Sequence, residues 1–267
     1  MTIPNFLIDQ HVHSSYSPDS SSTLAEIVQY AIARGKPAIV TTDHLEYDCK
    51  YFKQDVDIDW ESYNKEVEEL SRRYAVEIRK GIEVGFRSDY KDVINDYLAQ
   101  HVFDVILLSA HNDGRLDFSE KAFHDLPIQQ RLRHYFTHVR EAVDQMDNYD
   151  IVAHLDYVVR YTIFPVHEED IAACKPVLYD ILKLIIEKQK VLELNTTGLY
   201  RQGWIHPHSY ILDMYVDLGG RAVSIGSDAH QVGHIEQGFE EAIELLHGKG
   251  IREVVQFKGR APYLVSI

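Results

Sequence analysis

Short apolar runs alternate with amphipathic stretches along almost the whole chain. Runs of three to nine mainly apolar residues that return after each amphipathic stretch predict the strand–helix units of a parallel sheet. The predicted strands cover residues 5–9, 37–41, 76–84, 102–108, 151–153, 191–194 and 222–225. Residues 251–257 fit either a short final strand or a tail that closes the bottom of a barrel.

The amphipathic stretches carry helix start and stop signals. Thr23 and Glu26 form a capping box before one apolar stripe, and Gly35 suits its end. Pro176 fits the first turn of another helix. Helices are predicted over residues 24–34, 60–74, 90–100, 128–146, 176–186, 208–218 and 239–246. We expect an α/β fold in which parallel strands form a barrel inside an outer ring of helices, with residues 1–267 as one domain.

Composition and charge exclude several classes of function. The chain has 267 residues, a formal charge of −15 and 15 histidines. This negative charge repels the phosphates of nucleic acids and anionic lipids, so we expect no nucleic-acid or membrane partner. Two cysteines, Cys49 and Cys174, make no disulfide framework. No signal peptide and no apolar run of roughly 18 residues is present, which predicts a cytoplasmic protein.

Histidines and carboxylates collect at the C-terminal ends of the predicted strands. In a parallel barrel these ends meet at one mouth, where catalytic residues gather. The side chains placed there are His11, His13, Asp43, His44, Glu83, His111, His154, Asp228 and His230. We expect Asp43 to orient His44.

These residue types are those of metal ligands. Imidazole and carboxylate groups together suit zinc, iron or manganese. Strand alternation would point His11 and His13 to the same side, and Asp228 and His230 repeat that spacing. Each pair alone could equally consist of surface residues that bind no metal. Randomly scattered histidines, however, would not recur at one strand end after another. One catalytic ion uses about three protein ligands, so the set predicts two or three divalent ions.

With Asp19 added, the ordered set resembles the polymerase and histidinol phosphatase (PHP) family of metallohydrolases. The resemblance spans Asp9 to His230 and implies a distorted (β/α)7 TIM-like barrel with three ions. It implies three ligand groups, namely His11, His13, Glu83 and Asp228, then Glu83, His111 and His154, and then Asp19, His44 and His230. Some members carry a histidine where this chain has Asp19, so the metal preference could differ.

The loops refine the resemblance. Residues 11–20, 42–45 and 195–200 look most similar to the stand-alone family members that hydrolyse L-histidinol phosphate in histidine biosynthesis. The resemblance therefore implies a phosphomonoesterase whose catalytic residues are Asp228, His44 and Glu83. Either Asp228, His44 or a water on the third ion could protonate the leaving group.

Substrate-binding residues are expected in the loops after the fifth and sixth strands. Arg160 and Arg201 follow those strands, and a guanidinium group matches the geometry of a phosphate. Either arginine could equally be a solvated loop residue. Tyr161 and Trp204 could pack against a substrate ring, although aromatic residues there often serve only loop packing.

Two alternatives remain open at this stage. Another PHP enzyme, either a different small-molecule phosphatase or a phosphodiesterase or exonuclease, would use the same ligands. A nuclease would be expected to carry a basic strip, and the sequence has none. A non-catalytic metal-binding module would be expected to have lost ligands, and all are present. The sequence leaves the metal and the oligomeric state open.

Overall fold

The computed structural model describes residues 3–161, 166–201 and 203–267, with the backbone alone for Tyr200 and Arg201. Seven strands form one sheet in the order β2-β1-β3-β4-β5-β6-β7, and all neighbours from β1 to β7 are parallel. The strands are β1 Ala38–Cys49, β2 Gln54–Val56, β3 Glu77–Gly85, β4 Val105–Ser109, β5 Ile151–Val152, β6 Val191–Asn195 and β7 Val223–Gly226.

Helices follow the strands as the amphipathic pattern predicts. The predicted capping box is present, because Thr23 accepts from the backbone of Glu26 and Glu26 bonds back to Thr23. Gly35 ends that helix in the left-handed conformation. The α-helices are α1 Leu24–Arg34, α2 Trp60–Arg73, α3 Lys91–Gln100, α4 Lys121–His124, α5 Ile128–Gln145, α6 Glu168–Ala172, α7 Lys175–Glu187, α8 Thr197–Arg201, α9 Ser209–Asp217 and α10 Phe239–Gly248.

The first predicted strand, residues 5–9, is wrong. This segment forms no strand, and the residues after it join β7 to β1 through a few hydrogen bonds. Gln10 N donates to the carbonyl of Ile225 at 3.2 Å, and Thr42 N donates to the carbonyl of Val12 at 2.7 Å. Asp9 accepts from the backbone and hydroxyl of Ser227, so its side chain is committed to β7. The barrel therefore closes through an irregular segment.

The C-terminal segment closes the end of the barrel opposite the mouth. Strands β8 (Glu253–Lys258) and β9 (Ala261–Ser266) form an antiparallel hairpin. Val255 and Phe257 pack in an apolar cluster with residues that begin the parallel strands, such as Ala38 and Val105. The predicted final strand is thus confirmed, and it forms the bottom of the barrel. Among the described residues, no helix has the length and apolar character needed to cross a membrane.

Strand β1 runs much further than predicted. It continues to Cys49 and turns back into β2, with Glu46 opposite Val56. The sequence hid this extension because residues 43–48 are mainly polar or aromatic and lack a simple alternation. The extension places His44 beside Glu83 of β3 and adds Glu46 to the mouth.

Candidate active site

All nine predicted metal-ligand side chains converge on the C-terminal mouth of the barrel. Seven are buried, and His11 and His13 have no exposed surface. Asp19 lies at the exposed rim, and His230 is half-buried. His44 and Glu83 lie within their strands, because β1 and β3 extend beyond the predicted ends.

The innermost group consists of His11, His13, Glu83 and Asp228. It brings together the segment before β1, strand β3 and the loop after β7. The Nε2 atoms of His11 and His13 lie 3.1 Å apart. Asp228 Oδ1 lies 3.7 Å from Nε2 of His11 and 3.4 Å from Nε2 of His13. Glu83 Oε2 lies 3.5 and 3.4 Å from the same two nitrogens. The four side chains thus face one point.

Glu83 faces two groups with its two oxygens. Oε2 lies beside the innermost group and 3.1 Å from Nδ1 of His44. Oε1 lies 2.7 Å from Nε2 of His154 and 3.4 Å from Nε2 of His111. One carboxylate could therefore bridge two ions.

A third group forms at the rim of the mouth. Asp19 Oδ2 lies 3.2 Å from Nε2 of His230 and 3.5 Å from Nε2 of His44. The ring of His230 also stacks on that of His13, with centroids 4.1 Å apart. The rim group is thus continuous with the innermost group.

Two buried glutamates accept hydrogen bonds from the Nδ1 atoms of two imidazoles of the site. Nδ1 of His11 donates to Glu193 Oε1 at 2.7 Å, and Nδ1 of His111 donates to Glu46 Oε1 at 2.5 Å. Because a carboxylate only accepts, each ring carries a proton on Nδ1 and turns Nε2 toward the cluster, where that nitrogen can bind a cation. Sequence reasoning missed both glutamates. The available signal was a charged residue within an otherwise apolar strand for Glu193, and the i, i+2 spacing from His44 for Glu46.

A serine and a backbone carbonyl hold two further imidazoles. The hydroxyl of Ser17 donates to Asp43 at 2.8 Å, so it accepts from Nδ1 of His13 at 3.1 Å. Nδ1 of His230 donates to the carbonyl of Asp228 at 3.0 Å. Nε2 of both rings is left to face the cluster. The Asp43 carboxylate makes no direct hydrogen bond to the His44 ring within the described residues, because it accepts from Ser14 and Ser17 of the preceding loop. It is linked to His44 through Ser17, whose hydroxyl oxygen also accepts from the backbone of His44 at 3.1 Å.

The spacing of the ligand atoms fits a bound cation. Two atoms about 2.1 Å from one ion lie about 3.0–3.4 Å apart in octahedral or tetrahedral geometry. The innermost atoms are 3.1 to 3.7 Å apart. Glu83 Oε2 is buried and receives no hydrogen bond in the described part of the chain. A buried charge needs a partner, and a divalent cation supplies it.

The protein groups alone perturb one another strongly. Burial lowers the pKa of His11, but the carboxylates of Glu193, Glu83 and Asp228 outweigh it and raise the pKa well above its ordinary value. Burial, together with His230 and His44, lowers the pKa of His13 to about 3. His13 therefore stays neutral near pH 7 and keeps its lone pair for a cation.

Asp228 has an unusual backbone. Its φ of +53° lies in the left-handed region, which few non-glycine residues adopt, although aspartate tolerates it better than most. Such local strain tends to occur at functional sites. Here it aims the carboxylate between His13 and Arg160, whose Nη1 lies 2.8 Å from Asp228 Oδ2.

The predicted substrate-binding residues have different outcomes. Arg160 and Tyr161 line a cavity of about 310 Å³ at the mouth. Arg160 is buried, and its Nη2 lies 3.4 Å from Asn195 Oδ1. Trp204 is not among the lining residues. The backbone of Arg201 ends α8, but its side chain lies outside the described residues.

A parallel barrel whose mouth gathers buried histidines and carboxylates at ligand distances defines a metal-dependent hydrolase. Residues 9–197 match the PHP domain, and the chain belongs to the PHP family. The resemblance drawn from the ordered ligand set is confirmed, as is the distorted barrel fold.

Curated relatives match over nearly their whole length. The probable histidinol-phosphatase of Thermotoga maritima is 31% identical over 240 residues, covering 90% of this chain and 91% of that protein. The histidinol-phosphatase of Lactococcus lactis subsp. lactis is 28% identical over 257 residues, covering 94% of each chain. A crystal structure of histidinol phosphate phosphatase from Lactococcus lactis, complexed with zinc, L-histidinol and phosphate, has a TM-score of 0.84 and 25% identity. It covers 96% of this chain and 98% of that one.

Proposed function

We propose that this protein is a histidinol-phosphatase, which hydrolyses L-histidinol phosphate to L-histidinol and phosphate in histidine biosynthesis. The single observation that carries the proposal is the buried cluster of histidines and carboxylates open to a small cavity that Arg160 also lines. The relatives named for this activity support the choice of substrate.

Two or three divalent ions would occupy the mouth, and zinc, manganese or iron suit the donor set. The zinc in the Lactococcus lactis structure favours zinc. The proposed ligands of the first ion are His11, His13, Glu83 and Asp228. Those of the second are Glu83, His111 and His154, and those of the third are Asp19, His44 and His230. When bound, such ions supply a water nucleophile at neutral pH and offset charge on the phosphate.

The side chains of the mouth would orient the phosphate and handle protons. Arg160 is a buried cation, and a guanidinium group can donate two hydrogen bonds to phosphate oxygens. Asp228 pairs with Arg160 and faces the innermost group, so it links the phosphate-binding side of the cavity to the ions. Asp228, His44 and a water on the third ion are the candidates to deliver a proton to the leaving oxygen. Glu83 lies between two ligand groups, with one oxygen facing each.

Phosphate release from a substrate panel would test this function. We expect the purified protein, with its metal content measured by mass spectrometry, to hydrolyse L-histidinol phosphate with the highest kcat/KM. The panel should include p-nitrophenyl phosphate, glycerol phosphate, bis(p-nitrophenyl) phosphate and a single-stranded oligonucleotide. A preference for the diester or the oligonucleotide would overturn the proposal, and the charge of −15 argues against the oligonucleotide.

A further inference from the structure

Several residues that line the cavity at the mouth are not proposed metal ligands. They include Asp117 and the aromatic and sulfur-bearing side chains of Cys49, Phe52, Tyr157 and Tyr161. Tyr157 also packs against the proposed phosphate-binding residue, since the Arg160 guanidinium lies 5.2 Å from its ring centroid. The cavity lining therefore includes a cation, Arg160, and a carboxylate, Asp117, that lie outside the proposed ligand set.

Asp117 is held in place by the loop that follows His111. Phe118 N donates to the carbonyl of His111 at 2.8 Å, and Asn112 and Asp117 pair as an isolated antiparallel bridge. Oδ1 of Asp117 accepts from the backbone of Ser119 at 2.8 Å and from its hydroxyl at 2.5 Å. The loop thus fixes the direction of this carboxylate before any ligand arrives.

Asp117 forms no salt bridge within the described residues, and the imidazole near enough to feel its charge, that of His124, has its pKa lowered by burial. The residue is 1% exposed, and both hydrogen bonds go to Oδ1, while Oδ2 receives none from the described part of the chain. The charge of Asp117 also affects the pKa values of two neighbouring side chains in the cavity lining. Burial, Glu46 and Asp117 raise the pKa of Cys49 to about 11, and burial, Tyr161 and Asp117 raise the pKa of Tyr157. A buried carboxylate that lines a cavity and has no salt-bridge partner favours a cation there.

We propose that Asp117 binds the positively charged, nitrogen-bearing end of the substrate and so selects cationic phosphomonoesters over neutral ones. This inference rests on the proposed phosphatase function. L-histidinol phosphate carries an ammonium group and an imidazole beside its phosphate. Either nitrogen group can donate to a carboxylate in a charge-assisted hydrogen bond, and the aromatic walls favour a cation further. A neutral substrate would leave Asp117 buried and unpaired, which supplies the discrimination.

Asp117→Asn tests the assignment, because asparagine keeps the size and the acceptor for Ser119 but removes the charge. We expect kcat/KM for L-histidinol phosphate to fall roughly 10- to 100-fold, mainly through KM. The kcat/KM for glycerol phosphate, which has no cationic group, should change less than about threefold, which is under 1 kcal/mol. Metal content should match the wild-type protein. Asp125→Asn, which removes an exposed carboxylate from the same segment, is the matched control.

Product analogues identify the nitrogen and need no variant. L-histidinol, N-acetyl-L-histidinol and L-phenylalaninol are compared as competitive inhibitors of the wild-type protein. Weak inhibition by the acetylated compound shows that the ammonium group is the recognised cation, and weak inhibition by L-phenylalaninol shows that the imidazole is. Equal inhibition by all three overturns the proposal, even if Asp117→Asn fails to fold.

The two proposals fail in different ways. If the wild-type protein does not hydrolyse L-histidinol phosphate, the proposed function fails. If it does, but Asp117→Asn leaves kcat/KM unchanged or lowers it equally for L-histidinol phosphate and glycerol phosphate, only the role of Asp117 fails.

Discussion

Oε1 of Glu193 lies 2.7 Å from Nδ1 of His11, so a carboxylate in β6 fixes the tautomer of an imidazole in the segment that closes the barrel. Oε2 of the same carboxylate accepts from the backbone of His154 at 2.7 Å and from Asn195 Nδ2 at 3.0 Å. One buried glutamate therefore positions two of the proposed metal ligands. Partners of this kind orient a ligand and raise its basicity.

We predict that Glu193→Gln lowers metal affinity by about 10- to 100-fold, because a neutral amide holds Nδ1–H of His11 less strongly. Competition with a fluorescent zinc chelator measures the affinity. Glu187→Gln, at the exposed end of α7, is the control. Equal affinity in Glu193→Gln and the wild-type protein would contradict the positioning role.

Gly226→Ala should disturb the hydrogen bond between Glu193 and His11 by crowding both side chains. A Cβ at position 226 would overlap the carboxylate of Glu193 and Cβ of His11. Since both neighbours are fully buried, we expect a loss of about 1–3 kcal/mol in the free energy of unfolding and weaker metal binding. Urea denaturation measures the first effect. Gly233→Ala is the control, because no atom lies within 4 Å of a Cβ there.

Asp228→Asn should lower kcat at least about 100-fold and reduce the bound metal, because it removes a proposed ligand charge beside Arg160. Asparagine also tolerates the left-handed backbone, so the substitution changes charge more than conformation. Steady-state kinetics and metal analysis on one preparation measure both effects. Full activity would remove Asp228 from the site, and Asp180→Asn, on the exposed face of α7, controls for surface charge.

Arg160→Ala should raise KM for a phosphomonoester by about 10- to 100-fold, since it removes charge-assisted hydrogen bonds to the phosphate. It also leaves the Asp228 carboxylate without its ion-pair partner, so kcat should fall as well. Arg160→Lys keeps the charge and should recover part of the loss. Arg140→Ala, on the exposed face of α5, is the control.

Arg201→Ala is predicted to raise KM for a phosphomonoester too. Unchanged kinetics in both alanine variants at Arg160 and Arg201 would exclude this phosphate site.

Removing the metal should destabilise the fold. Each ion contributes about 4 kcal/mol when its free concentration is 1,000 times Kd, provided the unfolded chain does not bind it. For a chain of this size, 1 kcal/mol corresponds to about 2–4 °C in Tm. We therefore expect a chelator to lower Tm by at least about 8 °C, and added zinc to restore it. An unchanged Tm by circular dichroism would show that the cluster holds no ion.

The parallel barrel, and the meeting of the predicted ligand side chains at one mouth, were predictable because both follow from local sequence patterns. An apolar strand such as residues 102–108 needs burial on both faces, and helix caps such as Thr23 are local hydrogen bonds. Since the ends of parallel strands meet at one mouth, residues placed after different strands could be assigned to one cluster before any contact was known.

Only the tertiary structure decided which side chains form hydrogen bonds to the proposed metal ligands and orient them. Glu193 meets His11 across 182 positions of chain, and Asp9 commits itself to Ser227 across 218 positions. No local pattern encodes such pairs, because they depend on how barrel closure brings distant segments together. The sequence by itself determined which side chains could bind metal and in what order they reach the mouth. The closed barrel decided their tautomers, their partners and the cavity that Asp117 and Arg160 share, because burial and distance arise only when the chain is folded.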